Sequence, residues 1–301
     1  MPLAYVKYRG YNNDFETAPV EELLDMAEKD PAFPHPYPFL VSMLVDNREK
    51  PKIPSNNLSA SRLLGKGCLR CDILEKNVDY TESIDAMWAR FRGEAYHSVA
   101  EKFKAAHQYA EYQMWAKLPN GETITGRPDL IDKHAIIDLK TTKNIPKWDM
   151  VWNDHAMQLN IYRWLCNHAF EAWKPGSAPA DDEVFVKLMN SREFKSLVVW
   201  YVDDNGYKPL EVRKTIQVET KPGAKNPFKS VKVPALMSDD EVENMLVRNA
   251  EEILLAFAEY ETTSKLPRFP DGFDPMPQSF WKHRFSPVAD LCIKEHYESS
   301  R

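Results

Sequence analysis

Apolar residues fall along this chain in short runs and helical stripes separated by polar turns. Leu130 and Ile131 form one run, Ala135, Ile136 and Ile137 the next, and the polar Asp132, Lys133 and His134 part them. Two hydrophobic runs joined by a short polar turn predict a hairpin or two adjacent strands. Strand alternation then puts Asp138 and Lys140 on one face and Leu139 on the other. Asp129, just ahead of the first run, reaches that face if the pairing register allows.

The pattern elsewhere is coarser. Residues 19–28 predict a short helix with Val20, Leu23, Leu24 and Ala27 on one side. Four prolines within residues 31–38 predict an extended or looped stretch, and the polar residues 46–57 another loop. Residues 1–57 thus read as a peripheral arm and 58–301 as the body. Ser59 and Ser61 are candidate caps for a helix through Leu64. Residues 81–118 read as one or two long helices, ended by Pro119 and Gly121. A further helix is expected over residues 150–173, where Gln158 and Tyr162 are four apart and share a face. Residues 175–182 read as a linker, 184–189 and 197–202 as strands, and 207–218 as another strand. Ser238 with Glu241 resembles a capping box opening an amphipathic helix that runs to about residue 262. The order suits an α/β fold, a mixed central sheet flanked by helices.

A length of 301 residues predicts one large domain or two smaller ones. No run resembles a signal peptide or an uninterrupted membrane span, so a cytoplasmic location without membrane association is expected. Four cysteines, two of them the close pair Cys68 and Cys71, suggest metal ligands or free thiols rather than a disulfide framework. A net charge of −6 argues against a protein that coats DNA generally. It leaves room for a local basic channel: Lys50, Lys52, Arg62, Lys66 and Arg70 follow one another with no acid between them. There is no GxGxxG or Walker pattern, so a nucleotide cofactor is not implied.

Two carboxylates facing one point, Asp129 and Asp138, make a hard oxygen site suited to Mg²⁺ or Mn²⁺. Lys140 beside them could orient a water or stabilise charge developing on a phosphate. A solvated, Asp-rich surface hairpin is the other reading of the same residues.

Four pieces now stand in order: Gly93-xxx-His97, Gly126-Arg127-Pro128-Asp129, Asp138-Leu139-Lys140 and Gln158-xxx-Tyr162. Together they resemble the PD-(D/E)XK nuclease superfamily, and more closely its RecB-type exonuclease branch, which includes CRISPR-associated and phage-encoded nucleases. The resemblance implies a restriction-endonuclease-like core for residues 58–301. It implies His97, Asp129, Asp138 and the backbone carbonyl of Leu139 as metal ligands. Lys140 matches the catalytic lysine, and Gln158 and Tyr162 match the helix motif that contacts DNA or orients the lysine and water. The implied activity is Mg²⁺- or Mn²⁺-dependent hydrolysis of DNA from its ends, in replication, recombination or repair, in a bacterial cell or phage-infected host. Glu94 and Glu101 are accessory acids or surface residues. A helicase or recombinase partner and a homo-oligomeric ring both fit such an enzyme. A catalytically weak DNA-end-binding accessory module is the alternative.

Many RecB-like exonucleases carry a four-cysteine iron–sulfur site, one cysteine ahead of the histidine helix and three near the C-terminus. This chain departs from that pattern. Cys292 is present, but His283 and Ser286 stand where the other two C-terminal cysteines are expected. Cys68, Cys71, His283 and Cys292 are therefore the candidate set, stapling the tail of residues 265–301 to residues 68–71. Structural Zn²⁺, a [4Fe–4S] cluster and no metal are the three readings. Cys166 reads as a core residue.

Overall fold

The computed structural model describes residues 3–10, 12, 14–49, 58–64, 68–102, 109–142, 145–146, 150–174, 179–203, 205–212, 215–219, 228–232, 236–267, 269, 288–289 and 291–294. The elements in chain order begin with β1 (Leu3–Arg9), β2 (Phe15–Pro19), α1 (Val20–Lys29), α2 (Tyr37–Glu49) and β3 (Leu58–Ser59). A 3₁₀ turn at Arg62–Leu64 leads to α3 (Leu69–Asn77), β4 (Tyr80–Ser83) and α4 (Ile84–Lys102). The hairpin region follows as β5 (Tyr109–Ala110), β6 (Gln113–Lys117), β7 (Thr123–Gly126), β8 (Leu130–Ile131) and β9 (Ala135–Thr141). Then come α5 (Asn153–His168), β10 (Ala169–Trp173), α6 (Pro179–Asn190), β11 (Ser196–Asp203) and β12 (Gly206–Glu211). The pair β13 (Thr215–Glu219) and β14 (Phe228–Lys232) precedes α7 (Asp239–Thr263).

The chain divides into two units. One comprises Met1–Asn56, Gly67–Arg92 and Glu252–Arg301, the other Asn57–Lys66 and Gly93–Glu251. In the first, β1 lies between β2, antiparallel, and β4, parallel. Val6, Leu23, Leu40, Leu44 and Met87 form its buried centre.

The second unit contains a five-stranded sheet in the order β12-β11-β9-β8-β5 and a four-stranded sheet in the order β10-β6-β7-β3. In the larger sheet β9 is central, parallel to β11 and antiparallel to β8. The sheet is mixed, as expected, and β8 and β9 form a hairpin whose register pairs Leu130 with Ile137 and Ile131 with Ile136. The Asp132 N–H closes its turn on the Ala135 carbonyl at 2.8 Å. The crossover from β9 to β11 carries α5, β10 and α6. Nearly every side chain of α5 from Ala156 to Cys166 is buried, including Trp164 and the expected core residue Cys166. On the larger sheet, Asp138, Lys140, Val199 and Tyr201 share one face, because Val199 pairs with Asp138 and Tyr201 with Lys140 in parallel register.

The start of α7 is built as the capping box predicts. Ser238 N–H donates to Glu241 Oε2 at 2.7 Å and Glu241 N–H donates to Ser238 Oγ at 3.2 Å. Asp239 accepts from Arg163 at 3.1 Å and from Asn167 at 3.1 Å, which ties this end to α5. The side-chain Oδ1 of buried Asn160 accepts the Met237 N–H at 2.9 Å.

Several sequence expectations are corrected. Residues 46–49 belong to α2, and 50–57 lie outside the described residues. Tyr37 and Pro38 begin that helix, Pro38 sitting in its first turn where a missing N–H costs nothing. The span 81–118 is not all helical: Thr81–Ser83 belong to β4, and β5 and β6 follow α4. In β6 burial alternates, with Met114 and Ala116 inside, which is a strand period. Ser59 ends β3 and caps only a single 3₁₀ turn, its Oγ accepting the Arg62 N–H at 3.4 Å. The helix expected to 173 ends at His168, and its last five residues form β10. Residues 184–189, expected as a strand, lie in α6, which starts at Pro179 within the expected linker. Phe185 and Met189, four apart, are its buried contacts. The strand expected over 207–218 is split between β12 and β13.

Among the described residues no helix is long and apolar enough to cross a membrane.

Candidate active site

The second unit brings together a histidine from α4, acids from the β5–β6 and β7–β8 connections, and an acid within β9. Asp129 ends the segment between β7 and β8, and only 9% of its side chain is exposed. Its Oδ2 accepts the Leu139 main-chain N–H at 2.6 Å. Its Oδ1 lies 3.1 Å from His97 Nδ1. Glu111, in the turn between β5 and β6, places Oε1 3.4 Å from the same nitrogen. One ligand atom from each of His97, Glu111 and Asp129 falls within 4.8 Å of the others.

Without a cation the imidazole is held charged. Hydrogen bonding to Asp129, then to Glu111, raises the His97 pKa to about 10 against the opposing effect of burial. A proton thus occupies a place where two carboxylates and a ring nitrogen could instead hold a metal ion.

Asp138 stands next to this cluster and is fully buried. Lys140 Nζ donates to its Oδ1 at 3.0 Å and lies 2.9 Å from Oδ2. That second contact lacks hydrogen-bond geometry, so Oδ2 is a buried oxygen with no hydrogen-bond donor. Burial pushes Asp138 up to about 7 against the pull of the Lys140 charge. Burial would lower Lys140, but the Asp138 and Asp129 charges outweigh it and leave its pKa raised. An orphaned carboxylate oxygen, two further acids and an imidazole are donors that fit a divalent cation.

On α5, Gln158 Nε2 donates to the Tyr162 hydroxyl at 2.8 Å. Burial, with the Asp138 and Asp129 charges, raises the Tyr162 pKa well above its usual value. The glycine of Gly126-Arg127-Pro128-Asp129 has a steric reason. A Cβ there would meet Leu165 Cδ1 at 2.4 Å, and Ala60 Cβ and Tyr162 Cε1 at 3.2 Å. The absent side chain lets β7 approach the helix that carries Tyr162. At Gly93 a Cβ would find only Thr141 Oγ1 at 3.5 Å, an ordinary contact.

The structure therefore gathers His97, Asp129, Asp138 and Lys140, with Gln158 and Tyr162 on the adjoining helix. Glu111 is the residue the sequence reading missed. Its backbone φ of 58° is uncommon for a side chain other than glycine, and its N–H bonds the Pro128 carbonyl at 3.3 Å. Arg127 Nε pairs with Glu111 Oε2 at 2.8 Å. Reading residues 81–118 as helix hid it. The alternation in Gln113–Lys117 was the available signal, since it makes residues 111–112 a junction ahead of a strand. Glu94 is exposed, and the side chain of Glu101 lies outside the described residues.

In the first unit, Cys68, Cys71 and Cys292 offer three sulfurs within 4.8 Å of one another. Cys68 Sγ and Cys292 Sγ are 3.7 Å apart. Hydrogen bonds from Cys68 and Cys71, then from Arg70, lower Cys292 to about 4, while the Cys71 thiol is pushed up by the same contacts. His283 lies outside the described residues. Three soft donors suit a thiophilic metal.

A family model for the PD-(D/E)XK nuclease superfamily matches residues 68–266. No curated protein matches. Among solved structures, the crystal structure of SSO0001 aligns with a TM-score of 0.45 at 14% identity, over 91% of this chain and 96% of that one.

Proposed function

Because this chain belongs to the PD-(D/E)XK nuclease superfamily, we propose that it is a metal-dependent deoxyribonuclease that hydrolyses phosphodiester bonds from DNA ends. The observation that carries the reading is the His97, Glu111 and Asp129 cluster standing beside the buried Asp138–Lys140 pair. A bound Mg²⁺ or Mn²⁺ supplies Lewis-acid polarisation of the phosphate and a lowered pKa for the attacking water. His97, Glu111, Asp129 and Asp138 would hold the ion, with the Leu139 carbonyl as a further ligand. His97 gives up its proton to do so. Lys140, whose charge Asp138 fixes in place, orients the water and offsets negative charge growing on the phosphate. Gln158 and Tyr162 keep the lysine side of the site in position.

The ordered series from Gly93 to Tyr162 supports placement in the RecB-like exonuclease branch, with a role in replication, recombination or repair. A helicase or recombinase would then supply the opened strand, and a ring of copies is one way to thread an end. The three thiols support a structural Zn²⁺ or an iron–sulfur cluster, which elemental analysis and the visible spectrum of purified protein would tell apart.

The test uses end-labelled single-stranded and duplex DNA, linear and circular, with EDTA, Mg²⁺ or Mn²⁺. Wild type is expected to degrade linear but not circular DNA, only with metal, leaving 5′-phosphates. Lys140→Ala is expected to be inactive. Equal behaviour of the two proteins overturns the reading, and tight binding without cleavage favours an end-binding accessory module.

A further inference from the structure

Three packed aromatic residues, one of them beside Lys140, have no part in the reaction as described. Tyr201 on β11 pairs in register with Lys140 on β9, so the two stand side by side on one face. Tyr201 itself is fully buried. Its hydroxyl accepts the Trp152 main-chain N–H at 3.1 Å and is hydrogen-bonded with His155 Nδ1 at 2.8 Å. The rings pack as a group: Trp152 is centred 5.3 Å from His155 and 5.3 Å from Tyr201, and His155 lies 5.5 Å from Tyr201. His155 also lies three residues before Gln158 and seven before Tyr162, on the same face of α5.

Trp152 differs from its two partners in being 40% exposed. Its main-chain N–H is held by the Tyr201 hydroxyl, and its ring packs edge-on against that fully buried tyrosine. Part of this residue is open to solvent, and its ring touches the tyrosine that pairs with Lys140, the residue proposed above to act on the phosphate. Every nucleobase has a face that stacks on such a ring, and the contact is worth about 1–3 kcal/mol per base. A base inside a duplex is already stacked on both sides, so the ring selects an unpaired nucleotide.

We propose that Trp152 is the stacking platform for an unpaired base of the substrate strand, next to the phosphate held at Lys140, with Tyr201 and His155 as its positioning residues. The proposal rests on the nuclease reading for its choice of ligand, but its test reads binding and not cleavage. Fluorescent single-stranded oligonucleotides are titrated in EDTA against full-length wild type, Trp152→Ala and Trp152→Phe. The same oligonucleotide is used intact and with one abasic position moved stepwise from the end.

Trp152→Ala is expected to weaken binding about 5- to 150-fold, the range that base–aromatic stacking spans. Trp152→Phe keeps most of the affinity. One abasic position costs wild type a similar factor and costs Trp152→Ala nothing more, because the stacking partner is already gone. Wild-type affinity in Trp152→Ala, or an equal abasic penalty in both proteins, overturns the platform. So does failure of wild type to bind. If wild type binds yet cleaves nothing with Mn²⁺, the hydrolytic reading fails and the abasic coupling still decides the platform. If Trp152→Ala fails to fold, Trp152→Phe and the abasic scan on wild type decide it.

Discussion

The main-chain N–H of Leu139 donates to Asp129 Oδ2 at 2.6 Å, so a carboxylate continues the β8–β9 pairing where the backbone ladder stops. Asp129 thereby serves the fold with one oxygen and His97 with the other. Asp129→Asn can keep the bond to Leu139 through its carbonyl, but its amide cannot share a cation. It should fold and lose Mn²⁺ affinity and cleavage. Asp129→Ala leaves a buried N–H unpaired and should also lose about 1–3 kcal/mol of stability. Chemical denaturation in EDTA and calorimetric Mn²⁺ titration separate the two effects.

The contributions of His97 and Asp138 to the stability of the metal-free protein should fall as pH rises. His97 is raised from 6.5 to about 10 in the folded state and Asp138 from 3.8 to about 7. A folded pKa above the unfolded value adds stability that is complete below the unfolded pKa and disappears as pH climbs through the folded one. Asp138 therefore acts between about pH 4 and 7, and His97 between about pH 6.5 and 10. Cys292, held down at about 4, acts in the opposite sense, so the readout is the difference in melting temperature in EDTA between wild type and His97→Gln, which should shrink as pH climbs from about 6.5 to 10. Metal binding must displace the His97 proton, so Mn²⁺ affinity should rise with pH below about 10.

Asp138 and Lys140 should be coupled. Lys140→Met strands a buried carboxylate and should destabilise by about 1–3 kcal/mol. Asp138→Asn with Lys140→Met removes both charges and should recover much of that loss while remaining inactive. A double-mutant cycle by denaturation reads the coupling. Additive losses would show that the pair is screened by the 24% exposure of the Lys140 side chain.

Glu111 carries a conformational cost for its place in the cluster, since its φ of 58° belongs to the region glycine enters freely. Glu111→Gly relieves that strain but loses the contact with His97, so it should be more stable than Glu111→Ala in EDTA and bind Mn²⁺ at least tenfold more weakly than wild type. Glu111→Ala should bind as weakly and keep the backbone strain. A glycine variant with unchanged affinity would remove Glu111 from the ligand set.

Gly126→Ala should destabilise by about 1–3 kcal/mol, because Leu165, Ala60 and Tyr162 would all have to give way. Gly93→Ala should be nearly neutral or mildly stabilising, since its neighbour stands at van der Waals distance within a helix. Thermal denaturation of the two variants side by side tests the contrast.

What was legible in the sequence was local. The β8–β9 hairpin is written in two apolar runs and a polar turn. The α7 cap is written in Ser238 and Glu241, which satisfy each other. Gln158 and Tyr162 meet because four residues make about one helical turn. Misreadings arose where local preference and packing disagree. Val184, Phe185 and Val186 favour a strand, yet burial of Phe185 and Met189 makes the segment helical. Glu111 was illegible because its value lies in a pairing with His97 across fourteen positions. Cys292 beside Cys68 is a contact across 224 positions, which no periodicity announces. It was reached through family resemblance alone.

The parallel pairing of β9 with β11 has a consequence for biosynthesis. A nascent chain that has just released β9 already holds His97, Glu111, Asp129, Asp138 and Lys140. It lacks the strand that flanks Asp138 and Lys140, and the helix that carries Gln158 and Tyr162. The helix, α5, is made next, but the strand, β11, arrives only after α5, β10 and α6 have been made. The chemistry is encoded early and assembled late, so the growing polypeptide passes through much of its synthesis before the lysine and its buried acid acquire the setting they work in.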